Sequence, residues 1–162
     1  MPTTSLSRVI AAPQQEVWAT LADITNADRW NSAWSQIEFT SVQREGTGTS
    51  FRAHADGRPF EFEITHWTPP EYIEFAPVRR DESERYAVNL ESHAFRLQPA
   101  DDHHTNVEII ATASIHGIRG RLIGLFLWRG YQKQGLRSAL DALQAIFEPP
   151  EEEEDAPSST AD

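Results

Sequence analysis

The residues best placed to do chemistry cluster on one predicted strand. Over 86–97 the two-residue period that brings Phe95 and Leu97 to one face also brings His93, Glu91 and Asn89 to it. Two residues apart on one face, Glu91 and His93 are separated by about 7 Å along the strand. An imidazole of near-neutral pKa beside a carboxylate can pass a proton. Such a pair could remove an acidic carbon-bound proton while Tyr131 or Arg129, from a predicted helix, polarises a ketone. The competing readings are that this strand end reaches a cavity mouth, where polar residues are merely solvated, or that a bulge flips the parity.

Other polar residues carry weaker signals. If Phe60, Phe62 and Ile64 face inward on the fourth strand, His66 does so as well unless a bulge intervenes. Arg129 and Lys133, four apart on the inward stripe of the last helix, need either acidic partners such as Glu91 or a ligand's carboxylate or phenolate. His103 and His104 sit in a polar turn with Asp101 and Asp102, where adjacent side chains diverge, so no metal site is expected. His54, Glu61 and Glu63 read as solvent-facing strand residues. The Gly46-Thr47-Gly48 run lies between strands and lacks the helix N-terminus that phosphate binding exploits. No serine has a nucleophile-elbow context, and with no cysteine there is neither thiolate chemistry nor a disulfide. No cofactor is expected.

These residues need a scaffold, and the apolar periodicity supplies one. Strands are predicted from Ser5, Ile37, Thr49, Phe60, Tyr72, Tyr86 and Thr105 onward, seven in all, most joined by short turns that make them antiparallel neighbours. Asp56-Gly57 is the strongest hairpin signal. Val17, Trp18, Leu21 and Ile24 give a short amphipathic helix after Pro13, and cap-type residues from Asp23 to Asp28 predict a second one ending near Trp30. Trp30 and Trp34 are expected to plug the junction of helix and sheet. A long helix over 117–147 carries Leu122, Leu125, Phe126, Arg129, Lys133, Leu136, Leu140, Leu143 and Phe147 at spacings of three and four. Gly124, Gly130 and Gly135 interrupt it, either fitting against a curved sheet or leaving room for something. This is an α+β chain in which the long helix must cover the concave apolar face of a curved antiparallel sheet.

Charge and composition exclude several function classes. The 162 residues suffice for one domain over 1–148. The net charge of -11 includes six acids and no base among the last twelve residues, so the body carries -5 and has no basic stripe for nucleic acid. The acidic tail, 149–162, is expected to be disordered. No apolar run reaches the roughly 20 residues that a membrane span needs. The start lacks a signal-peptide core, and a cytoplasmic location is expected. Composition says nothing about oligomeric state.

Several phrases occur in an order that resembles the START-like, or SRPBCC, superfamily in its polyketide cyclase/dehydrase and lipid-transport branch. They are Ile10-Ala11-Ala12-Pro13 with Glu16-Val17-Trp18, Ala22-Asp23-Ile24 to Asp28-Arg29-Trp30, Gly46-Thr47-Gly48-Thr49, and Trp67-Thr68-Pro69-Pro70-Glu71-Tyr72-Ile73. Phe95-Arg96-Leu97-Gln98-Pro99, Thr105-Asn106-Val107 and the closing helix also fit, so that the likeness spans 5–147. His103-His104 stands where many relatives have a glycine. The resemblance implies a helix-grip fold whose sheet wraps the C-terminal helix, with a cavity between them for an apolar small molecule. It implies no single chemistry, since carriers, binders and cyclases share it.

The reading that follows is a cavity for an apolar or aromatic molecule, polyketide-like or lipid-like. Its expected lining is Phe60, Phe62, Ile64, His66, Phe75, Asn89, Phe95, Val107 and Ile109 from the sheet, and Leu122, Phe126, Arg129 and Tyr131 from the helix. The alternatives are a cofactor-independent cyclase or dehydratase using Glu91 and His93, and an interaction module whose acidic tail meets a basic partner.

Overall fold

The computed structural model describes residues 1–55, 57–78, 88–115 and 129–148. Its seven strands are β1 (Thr3–Ile10), β2 (Ser35–Phe39), β3 (Ser50–Ala55), β4 (Arg58–Thr68), β5 (Tyr72–Pro77), β6 (Val88–Pro99) and β7 (Thr105–Ile115). They form one sheet in the order β1-β7-β6-β5-β4-β3-β2, antiparallel at every pairing. Five of the connections are hairpins between sequence neighbours. The β1–β2 link instead carries the chain from one edge of the sheet to the other through helix α1 (Gln14–Ala22) and a 3-10 helix (Ile24–Arg29). Gly57 takes φ +73° where Ala55 pairs with Arg58, a backbone position that suits glycine because it has no Cβ.

The C-terminal helix, here α2 (Arg129–Phe147), lies against β1, β7 and the 3-10 helix. Leu136, Ala139, Leu140 and Leu143 are buried, at the three- and four-residue steps of one helical face. Burying each leucine contributes about 1.5–3 kcal/mol. Arg8 of β1 also pairs with Asp141 and donates to Oε1 of Gln144 at 3.0 Å. That ion pair is solvated and worth under about 1 kcal/mol, so apolar burial holds α2 on the sheet.

The other side of the core is aromatic. Trp30, fully buried, packs edge-on to Phe95 at 5.1 Å and stacks with Phe75 at 6.1 Å, while Trp34 meets Phe62 at 4.8 Å and Phe51 at 5.5 Å. The two tryptophans thus close the helix-to-sheet junction, as their position after the 3-10 helix suggested.

Three expectations from simple periodicity fail, and one of the two readings of the glycines is removed. A bulge in β4 between Ile64 and His66 sets Trp67 rather than His66 inward, where Trp67 meets Trp18 at 5.0 Å. Phe60 does lie opposite buried Ala53, but close to the turn that the Ala55–Arg58 pair closes it is 43% exposed. Lys133 is exposed, because a 3.6-residue period running back from Leu143 through Ala139 and Leu136 leads to Gln132. Gly130 and Gly135 meet no neighbouring atom within 4 Å of an added Cβ, so neither is there to let a sheet approach closely.

Candidate functional site

The residue on which the site depends is His93, and the register of three strands fixes its direction. It pairs with Phe75 on β5 and Ala111 on β7, both buried on the inner face. Its ring packs beside Phe95 at 5.5 Å between centroids. Phe75, Phe95, Val107 and Ile109, all expected as cavity lining, are buried in the core beneath and beside it, as is Ile64.

Towards its N-terminal end β6 slips register between Leu90 and Ser92, so Leu90 pairs with buried Ala113 and Asn89 with Ser114. The bulge therefore turns Leu90 to the inner face beside His93. Glu91 goes the other way, its carboxylate accepting a hydrogen bond from the Ser114 hydroxyl on the outer side of β7. Asn89 is buried, but opposite Ser114 rather than in line with His93. The three polar residues that a strict alternation would align on one face are thus divided between two. Glu91 and His93 are not brought together as a proton-transfer pair.

Between the inner face, the 3-10 helix exit and α2 there is a cleft of about 350 Å³. Its apolar lining is Trp34, Phe62, Leu90, Leu136 and Ala139, with Ala33 and Gly135 at the edge. His93, Asn31, Ser32, Gln132 and Ser138 supply its polar atoms. Of the residues expected to line a cavity, Phe62 does line it, together with His93, which was expected there as a proton-transfer group. Leu122 and Phe126, and the side chains of Arg129 and Tyr131, lie outside the described residues. Trp34, Leu90 and Gln132 were missed. Trp34 reads in the sequence as a junction residue, Leu90 needed the bulge, and Gln132 needed the helix rotation.

The electrostatics of His93 follow from its surroundings. Burial among apolar groups lowers its pKa from 6.5 to about 4, since a charged imidazolium would lose its hydration there. It is therefore neutral at pH 7. Its Nε2 is buried with no hydrogen-bond partner among the described residues, an unspent capacity that costs free energy in the unliganded fold.

A second concavity, about 590 Å³, lies at the β4–β5 turn beside the start of α1 and is lined by Gln14, Thr68, Glu71, Tyr72 and Arg96 among others. Although larger, it is a solvated groove in which the Arg96 guanidinium and the Tyr72 hydroxyl are already engaged. Arg96 pairs with Glu108 at 2.9 Å and Tyr72 donates to Glu74 at 3.0 Å. Burial and then that bond push the Tyr72 hydroxyl up to about 12. Burial alone would raise the pKa of Glu74, but hydrogen bonds from Thr65, Tyr72 and His66 outweigh it and hold the carboxyl below its ordinary value. His66, 68% exposed at its side chain, belongs to this outer cluster and not to the cleft. Among the described residues no group of three His, Asp or Glu could hold a metal ion, and no helix is long and apolar enough to cross a membrane.

Known proteins give this geometry a context. Residues 1–148 match the family model described as polyketide cyclase / dehydrase and lipid transport. No curated protein matches the chain in sequence. Among solved structures the fold is similar to the ZhuI aromatase/cyclase from Streptomyces sp. R1128, with TM-score 0.67, 16% identity, and 90% of this chain and 92% of that one covered. A hypothetical protein from Helicobacter pylori is similar at TM-score 0.70 and 14% identity, covering 91% and 88% of the two chains. A protein from Thermus thermophilus is similar at TM-score 0.65 and 20% identity, covering 89% and 95%. At these identities the likeness shows the fold, a curved seven-stranded antiparallel sheet with a C-terminal helix, the helix-grip arrangement.

Proposed function

From the premise that the chain belongs to the polyketide cyclase / dehydrase and lipid transport family, we propose that it binds a compact aromatic or otherwise apolar small molecule in the cleft between the sheet and α2. The observation that carries this reading is the cleft itself: two aromatic side chains, Trp34 and Phe62, and the aliphatic Leu90 and Leu136 around one neutral histidine with an unused ring nitrogen. That composition, apolar walls with a few placed polar groups, is what small-molecule sites have in common. Size narrows the class. Ligand pockets run from about 300 to 1,000 Å³, so a cleft of about 350 Å³ suits a fused-ring or short-chain molecule better than a long-chain lipid.

Native mass spectrometry of freshly purified protein, with solvent extraction of whatever leaves on denaturation, tests the reading without presupposing a ligand. A neutral reporter such as N-phenyl-1-naphthylamine complements it. Its fluorescence should rise on binding and fall again in Gly135→Leu, which puts a side chain where the helix now leaves open space. Absence of any adduct, together with probe binding that the Gly135→Leu change does not alter, would remove the cleft as a binding site.

Among the described residues the enzymatic reading rests on His93, since Glu91 is engaged with Ser114 on the outer side. Glu91→Gln should leave turnover of a poly-β-ketone substrate analogue unaffected, whereas His93→Phe should abolish it.

A further inference from the structure

Among the described residues that line the cleft there is no Asp, Glu, Lys or Arg. Every polar group that the described lining residues offer to a ligand is uncharged: the amides of Asn31 and Gln132, the hydroxyls of Ser32 and Ser138, and the imidazole of His93. The cations of α2 whose side chains are described, Lys133 and Arg137, are exposed to solvent instead. Resting on the binding reading above, we infer that the cleft selects uncharged oxygenated ring compounds, phenols and aryl ketones, over carboxylates, with His93 as the hydrogen-bonding group that sets the preference.

A carboxylate drawn into this cleft gives up its hydration and finds no cation among the described lining residues to replace it, so it must bind weakly or enter protonated. A histidine with an ordinary pKa could become that cation by taking a proton, but burial beside Phe95 opposes it. A neutral hydroxyl or carbonyl oxygen loses far less on entry. It can also recover a hydrogen bond from the imidazole, which gives or accepts one according to its tautomer. Of the polar groups on the described lining residues, His93 alone comes from the inner face of the sheet, beside Phe62 and Leu90, whereas the others lie on α2 and in the segment that leaves the 3-10 helix. A ring stacked on Trp34 and Phe62 would therefore present its substituent to the histidine.

Matched probes separate this inference from the reading it rests on. Naphthalene, 2-naphthol, 2-acetylnaphthalene and 2-naphthoate share one ring system, and their dissociation constants at pH 7.5 can be read from quenching of intrinsic tryptophan fluorescence. One neutral hydrogen bond is worth about 2- to 10-fold, so 2-naphthol or 2-acetylnaphthalene should bind more tightly than naphthalene by that factor. 2-Naphthoate should bind at least about 10-fold more weakly than the tighter of these two, given the cost of an unpaired charge. His93→Phe should erase the advantage of the oxygenated probes while naphthalene still binds, and far-ultraviolet circular dichroism checks that the variant is folded. If none of the four binds, the binding reading itself fails. If they bind and 2-naphthoate is equal or tighter, the inference is overturned, and Arg129→Leu then asks whether that side chain supplies the missing cation. Unchanged preferences in folded His93→Phe would also overturn it.

Discussion

Replacing His93 by leucine should change how stability depends on pH, and by a calculable amount. In the unfolded chain the imidazole takes up a proton near 6.5, whereas in the fold burial holds its pKa at about 4. Above pH 6.5 it is neutral in both states and contributes no pH dependence. Between 6.5 and about 4 only the unfolded state binds the extra proton, so stability falls as the pH falls, and below about 4 both states are charged and the loss levels off. Each tenfold step in proton affinity is about 1.4 kcal/mol, so the whole interval is worth about 3 kcal/mol, a large share of the stability of a domain this size. Urea unfolding followed by tryptophan fluorescence, on wild type and His93→Leu from pH 7.5 to 4, measures it. The carboxylates and the other histidines titrate in both proteins, so the difference between the two curves isolates His93. The wild type should lose stability relative to the variant by about 3 kcal/mol across that window, most of it below pH 6. A difference that stays flat would show that His93 is not held neutral by burial, and selection of uncharged ligands would lose its electrostatic basis.

Three further perturbations test the packing that builds the site. Gly135→Ala should raise stability by about 0.8–1 kcal/mol in thermal or urea unfolding, because alanine is the better helix former and its methyl group meets nothing within 4 Å; destabilisation would mean that the glycine is required for packing. Trp30→Ala should cost about 3–5 kcal/mol, since the ring is fully buried among Trp34, Phe75 and Phe95, and near-ultraviolet circular dichroism should register the loosened cluster. Arg8→Ala should cost less than about 1 kcal/mol, and less still at high salt, because its contact with Asp141 is solvated; a larger, salt-independent loss would show that this ion pair rather than leucine burial holds α2 to β1.

Much of the fold was legible in the sequence because the signals are local. Alternation of two marks a strand whatever it pairs with, and the Asp56-Gly57 turn could be recognised from its own dipeptide. All seven predicted strands occur, with bounds that differ by a few residues from those read from the pattern. The stripe from Leu136 to Leu143 faces the core as its spacing required. The aromatic junction was also visible, since two tryptophans directly after a short polar helix have little else to pack against but the sheet.

The site was legible only where alternation stays regular. His93 is on the inner face because no irregularity separates it from Phe95, whereas His66 and Glu91 each lie at or past a bulge. A bulge adds one residue to one strand of a pair, so its position depends on how far the partner strand runs before the turn, and a single strand's period carries no trace of that. The slip at Leu90 and Ser92 exists because β6 must match β7 across its length, and it alone sent Glu91 to Ser114 and brought Leu90 to the cleft. The helix posed a similar problem of rotation. Its stripe defines a face to within about one residue, and contact with β1 and the 3-10 helix decided that Gln132 rather than Lys133 lines the cleft. Sequence by itself thus determined the strands, the turns and the covering helix, which follow from interactions between near neighbours in the chain. Tertiary structure alone decided which polar groups share a cavity and how far His93 is shielded from water, because both depend on surfaces contributed by segments far apart in sequence.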